Sequence, residues 1–303
     1  MAGLWEMLRN WRTIHKQCRP PEPTFSVDQI PDLSGKVVIV TGTYYVYMAS
    51  RDESKARAAI SELKEQTGKE AIYLELNLAN LASVRKSAAE FLSKETELHV
   101  LYNNAGVSTV PIDWLTDDGY DMTFGTNVIG HFLFTKLLLP ALLAGKETSE
   151  DHFARVIWLS SYTAYMATLH YNTFRDGPAR KKAGYALMYF QSKYAAVVLA
   201  HECARRYAEQ GILSLSVNPG NIQTGIFRYA SPADLKFIDI FLKLYPVEYG
   251  ALGQLWAGTM PDALKHNGQF VVPWAQIARP RKDAYNEKVG AKLWTWLEGE
   301  VGA

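Results

Sequence analysis

One residue, Thr43, separates the glycine that closes the first apolar run from the start of the next run. Gly35 and Lys36 precede Val37-Val38-Ile39-Val40, which ends in Thr41-Gly42. Nearly continuous β-branched residues followed by a turn glycine are how a buried central strand of a parallel sheet is written. In a nucleotide-binding α/β fold this is the first strand, and the loop after it cradles phosphates. Here the chain goes straight on to Tyr44-Tyr45-Val46-Tyr47-Met48, itself a strand pattern. Parallel neighbours joined by a crossover need about a dozen connecting residues or more. The expectation is therefore one continuous strand, an antiparallel pair with a forced turn, or one strand plus displaced chain. A right-handed β-α-β unit is excluded.

The rest of the chain alternates regularly. A helix is expected from Arg51-Asp52-Glu53-Ser54 to about Gln66, with acidic residues in its first turn where the dipole favours them. Strands are expected at Ala71–Leu76, Leu98–Tyr102, Ala154–Ser161, Ile212–Val217 and Gln269–Val272. Helices are expected at about Leu81–Lys94, Asp118–Leu143, Ala183–Glu209, Pro232–Leu244, Val247–Gly258 and Asp283–Leu297. This is an α/β chain with a doubly wound, mostly parallel sheet of Rossmann type, its first β-α-β unit truncated.

Composition narrows the function classes. The net charge is +1 with no basic stripe, so nucleic acid is a poor partner. Cys18 and Cys203 match no metal spacing and fit a reducing compartment, and the seven histidines form no His-x-x-x-His pair. No run reaches the roughly 18 apolar residues of a membrane span; His131–Leu143 is interrupted by Thr135, Lys136 and Pro140. The expected location is cytoplasmic.

Residues 1–34 read as an amphipathic helix followed by the stiff linker Pro20-Pro21-Glu22-Pro23, and residues 35–303 as a single domain. Leu4, Trp5, Leu8 and Trp11 share one face of that helix, with Arg9, Arg12 and Lys16 among the rest. It packs on the protein's own surface or, through residues 4–16, touches a membrane surface.

Chemistry concentrates at strand ends. Tyr189 and Lys193 lie four apart in the long helix, hence on one face. A free phenol titrates near pH 10, too high for acid–base work near neutrality, and an adjacent ammonium favours the phenolate. Ser160-Ser161 closes one strand, where a hydroxyl can donate to a carbonyl oxygen gaining charge. Asn103-Asn104-Ala105-Gly106 closes another, Asn127 lies in the helix after it, and Pro219-Gly220-Asn221-Ile222-Gln223-Thr224 follows a fourth. Each has an ordinary structural use as a turn glycine or helix cap; together they point to one site.

As a set, these residues resemble the short-chain dehydrogenase/reductase family, in particular its fungal retinol-dehydrogenase-like members, from about Leu33 to Pro273. The resemblance implies hydride transfer between a nicotinamide ring and an alcohol or carbonyl. It implies Tyr189 as the acid/base and Lys193 as the group that lowers its pKa and holds the nicotinamide ribose. Ser161 would polarise the substrate oxygen, and Asn127 would hold a water in the proton relay. Asn104 would lie beside the adenosine ribose, and Ile222 and Thr224 against the nicotinamide carboxamide and phosphates. Asn77 stands where the family has an aspartate near the adenine. Arg51 follows the second strand, where an NAD enzyme places an acidic residue; a cation suits a 2′-phosphate and so NADP.

The departure is at Gly42. The family's Thr-Gly-x-x-x-Gly-x-Gly loop and the helix after it are absent. Those glycines let the backbone approach the diphosphate, and the helix N-terminus supplies donors and a positive dipole. A sheet face beside the first strand should also lose its cover. Two readings stand: an NADP-dependent oxidoreductase, or an impaired relative (a binding or scaffold protein, or a truncated gene product) that cannot hold the dinucleotide normally. The segment from Gly225 to about Tyr249, with Phe227, Tyr229, Phe237, Ile240, Phe241 and Leu244, suggests a bulky hydrophobic alcohol or ketone as substrate.

Overall fold

The computed structural model of the protein describes residues 6, 8–42, 47–227, 229 and 243–302, with the side chain of residue 227 outside the description. Eight strands form one sheet in the order β3-β2-β1-β4-β5-β6-β7-β8. They are β1 Val38–Thr41, β2 Tyr47–Ser50, β3 Ile72–Glu75, β4 Val100–Asn103, β5 Ala154–Leu159, β6 Ile212–Val217, β7 Phe270–Val272 and β8 Gln276–Ala278. All pairs are parallel except β7 with β8. The doubly wound α/β expectation holds, and β8 is an antiparallel edge strand that the sequence pattern did not disclose.

The opening pair corrects the sequence reading. β1 and β2 are parallel, with Ile39 opposite Tyr47 and Thr41 opposite Ala49. Only Gly42–Val46 connects them, and Thr43–Val46 lie outside the described residues. Both strands are short and nearly level, so the chain steps back two residues, roughly 7 Å, and about 4.8 Å sideways. Five residues reach that far at about 3.3 Å each. The longer requirement belongs to crossovers that carry a helix. Gly42 sits at φ +82° and donates its N–H to Ala49 O at 2.8 Å, starting the return.

The helices are α1 Trp11–Cys18, α2 Glu53–Thr67, α3 Leu81–Lys94, α4 Met122–Gly145, α5 Pro178–Tyr207, α6 Val247–Thr259 and α7 Glu287–Val301. Their caps follow the sequence: Asp52 accepts from Lys55 N and begins α2, and Gly68 in the left-handed region ends it. Two elements differ from expectation. Within α4, Gly125–Gly130 winds as a π-turn. α5 begins earlier than expected, at Pro178, and bends at Gly184, whose φ of +75° breaks the helical path. The helix expected at 232–244 falls almost wholly outside the described residues.

α4 is long and apolar enough by composition to cross a membrane. Yet Phe132, Leu133, Phe134, Leu138 and Leu142 are buried in the main core with Ile39, Leu101 and Trp158, so it is the central helix of the fold. Ile14 and Cys18 of α1 join the same core, while Leu8 and Trp11 are 58% and 51% exposed. The helix thus docks through Ile14, Gln17 and Cys18, not through the Leu8–Trp11 face. Leu4 and Trp5 lie outside the described residues.

On the other face of the sheet, α2 packs on β2 and β3, and α6 on β4 to β7. Between them Val38 and Val40 of β1, with Val100 and Tyr102 of β4, line a cleft of about 2590 Å³. Val27, Ile30 and Leu33 wall one end of it. The cover lost beside the first strand is thus replaced by a trough that runs along the sheet.

Candidate active site

The strand order reverses between β1 and β4, where open α/β sheets bind their ligands. The corner is tied by Thr41, the last residue of β1. Its Oγ1 accepts from Asn104 N at 2.9 Å and Ala105 N at 2.8 Å, while Asn104 Nδ2 donates to Thr41 O at 3.0 Å. A Cβ on Gly42 would lie 3.0 Å from Ala105 Cβ, and one on Gly106 3.2 Å from Asn127 Oδ1 and 3.7 Å from Lys193 Nζ. The backbone at both glycines therefore comes closer to its neighbours than a side chain comfortably allows.

Tyr189 and Lys193 project from α5 and Ser161 follows β5, and all three line the cleft. Ser161 caps the short 3-10 turn Tyr162–Tyr165, with Thr163 N donating to its Oγ at 3.2 Å. Its hydroxyl is near enough to the Tyr189 phenol to favour the phenolate. Lys193 Nζ donates to Leu159 O at 3.0 Å and stands 5.5 Å from the centre of the Tyr189 ring.

This arrangement corrects one expectation. Burial pushes the Tyr189 phenol up to about 12, and the nearby Ser161 hydroxyl pulls the other way. Burial also brings the Lys193 ammonium, which lies over the ring face, down to about 8. Desolvation outweighs the charge pairing on which the spacing argument relied.

Asn127 lies in the π-turn of α4, 7% exposed. Its Oδ1 accepts from Val107 N at 2.9 Å, and its Nδ2 donates to Val107 O at 3.0 Å and Ser192 Oγ at 3.1 Å. The side-chain amide thereby joins the loop after β4 to α5. Ser192, next to Lys193, was not singled out by the sequence pattern; nor was His131, one turn after Asn127.

Arg51, Asn77 and Asn104 line the cleft at the ends of β2, β3 and β4. Arg51 is exposed and, among the described residues, makes no ion pair; Asp52 beside it is engaged as helix cap and with Lys55. Asn77 Oδ1 accepts from Ala79 N at 3.1 Å, so its amide nitrogen remains the group to offer a ligand. Ile222 and Thr224 line the far side after β6, Ile222 buried against Gly250 and Thr224 exposed. Every site residue expected from the sequence thus borders one cleft, apart from Asn127, which stands just behind Gly106.

α1 also reaches this region, which its sequence did not suggest. Asn218 Nδ2 donates to Gln17 Oε1 at 2.9 Å, Gln17 Nε2 donates to Tyr165 Oη at 3.1 Å, and Asn218 Oδ1 holds Gly220 N at 3.0 Å. Of the expected substrate segment, Phe237, Ile240 and Phe241 lie outside the described residues. Tyr229 stands edge-on to Trp114 at 5.4 Å, and Leu244 is half-buried.

A dinucleotide fits this cleft at its two ends. The glycine cradle and the Lys193–Tyr189–Ser161 group suit a nicotinamide ribose, and Arg51, Asn77 and Asn104 suit an adenosine. Between them the described residues bring no helix N-terminus to the end of β1.

Residues 36–175 match the family model described as short chain dehydrogenase. A short-chain dehydrogenase/reductase of Armillaria gallica is 53% identical, with 98% of each chain covered; the alignment spans 314 positions and so exceeds this chain's own length. Among solved structures, an uncharacterized protein of Mycobacterium paratuberculosis superposes with a TM-score of 0.66 at 25% identity, covering 92% of this chain and 98% of that one. The NADPH-bound carbonyl reductase from chicken fatty liver superposes with a TM-score of 0.55 at 23% identity, covering 78% and 95%, a likeness of fold.

Proposed function

This chain belongs to the short-chain dehydrogenase/reductase family of oxidoreductases, and from that premise we propose that it interconverts a bulky hydrophobic alcohol and its carbonyl compound with NADP as cofactor. The observation that carries the reading is the gathering of Ser161, Tyr189 and Lys193 on one cleft wall, with the Lys193 ammonium 5.5 Å from the centre of the Tyr189 ring. When bound, NADP(H) supplies or accepts the hydride. The chain's own residues handle the oxygen and its proton. Ser161 donates a hydrogen bond to the substrate oxygen, and Tyr189, protonated at neutral pH, gives its proton to the developing alkoxide in the reductive direction. Lys193 holds the nicotinamide ribose from the α5 side. Asn127 keeps the β4 loop and α5 in register and holds a water of the proton relay.

The preference for NADP over NAD rests on Arg51, a cation with no described ion-pair partner at the end of β2. Asn77 and Asn104 flank the adenosine, and Ile222 and Thr224 the nicotinamide carboxamide and phosphates. The substrate class rests on the aromatic and aliphatic lining at Tyr185, Leu187, Ile226 and Tyr229. The location proposed is cytoplasmic, and peripheral membrane contact through residues 4–16 is supported by the outward Leu8 and Trp11. The division at residue 34 is one of chain order, with α1 docked on the domain.

One observation favours a second reading, impaired cofactor binding: five residues join β1 to β2. A fluorescence titration with NADPH separates the two. Micromolar, saturable binding contradicts impairment, and a flat titration of the folded protein contradicts catalysis.

A further inference from the structure

His131 is 2% exposed in α4 and is bonded through both ring nitrogens. Nδ1 lies 3.1 Å from Asn127 O, and Nε2 lies 2.9 Å from Thr41 Oγ1. The bonding partners fix which nitrogen carries the proton. A carbonyl oxygen only accepts, so Nδ1 must bear hydrogen. Thr41 Oγ1 has two lone pairs and one proton, and the lone pairs serve the N–H groups of Asn104 and Ala105. Its proton is left for Nε2 at 2.9 Å or for Tyr102 O at the longer 3.2 Å. Burial and the nearby Lys193 ammonium, the charged group that acts on the ring, bring the imidazole down to about 4, so Nε2 is a bare acceptor at neutral pH. The bonds then run one way: Asn104 and Ala105 to Thr41, Thr41 to His131, and His131 to Asn127.

We propose that His131 is a positioning residue of this site, an imidazole protonated at Nδ1 alone that locks the Thr41–Asn104–Ala105 corner to the Asn127 turn. The corner borders the adenosine end of the cleft, and the turn carries the residue that joins the β4 loop to α5. The two arms of the imidazole therefore serve different ends of the site. The kinetic part of this inference rests on the oxidoreductase reading given above; the tautomer does not.

The test has two parts. Nitrogen-15 NMR of histidine-labelled protein should show His131 with hydrogen on Nδ1 and a bare Nε2, unchanged between pH 5.5 and 8. A proton on Nε2, or titration near the ordinary histidine value, overturns the proposal whether or not the protein turns over substrate. His131→Asn keeps an amide donor for Asn127 O and loses the acceptor for Thr41; His131→Phe loses both. His131→Asn should raise the NADPH dissociation constant and KM about tenfold while leaving kcat at saturation within about twofold. His131→Phe should lower kcat as well, and Thr41→Val added to His131→Asn should weaken binding by less than it does alone. Variants that both match the wild type in binding and kcat overturn the proposal; variants that fail to fold leave the wild-type NMR result to decide it.

Discussion

At the β5 end of the cleft, Ser161, Tyr189, Lys193 and Asn127 come from three chain segments and are held by bonds to Thr163, Leu159, Val107 and Ser192. At the β1–β2 corner, five residues connect two strands whose register is nonetheless kept. The difference teaches that the reacting groups and the phosphate seat are independent in sequence. Ile39, Tyr47 and Ala49 stay paired because they are buried in the main core, and core burial does not require the helix that a crossover would carry. On the function proposed above, the groups for moving a proton are all present and the seat for a diphosphate is abbreviated.

The sharpest way to break that contrast is at its intact end. Tyr189→Phe should lower kcat by about 10²–10⁴-fold with the far-UV spectrum and NADPH titration unchanged; steady-state kinetics with residual activity near wild type would remove Tyr189 from the proton transfer. At the abbreviated end, replacing Gly42–Val46 by a glycine-rich loop and a helix should tighten NADPH by about 10²–10³-fold, the worth of two or so charge-assisted bonds from backbone N–H groups. Isothermal calorimetry on both chains reads that gain.

Smaller effects refine the picture. Arg51→Ala should reduce the preference for NADPH over NADH by about fivefold, as for an exposed charge pair worth roughly 1 kcal/mol, measured by parallel titrations. Buried Lys193 titrates at about 8 in the folded chain against 10.5 for the free side chain. Between those values the unfolded chain holds the proton and the folded one does not, so this group's contribution to stability rises with pH from about 8. Urea melts at pH 7.5 and 9.5 should show that rise in the wild type and a smaller one in Lys193→Met.

How far the sequence disclosed this molecule depended on what each residue answers to. α3 and β6 appear within their expected bounds because their burial patterns are local. That Tyr189, Lys193 and Ser161 gather at one sheet edge was legible through spacing and strand-end position. The parallel β1–β2 pair was not, because its geometry depends on the stagger of two short strands and not on the connection length alone. The fall in the Tyr189 pKa was misjudged because spacing says which groups are near but not how dry they are. His131 and Gln17 were hidden for a related reason: their partners are Thr41 and Asn218, 90 and 201 residues away. The i, i+4 step from Asn127 to His131 was the one local signal.

The most direct test of the contrast is an NADPH fluorescence titration of the unaltered chain. The account predicts saturable but weak binding, with a dissociation constant of about 0.1 mM or above, as expected when two charge-assisted bonds are missing from a micromolar site. Saturation in the low micromolar range would contradict the abbreviated phosphate seat, and a flat titration of the folded protein would contradict the intact catalytic end.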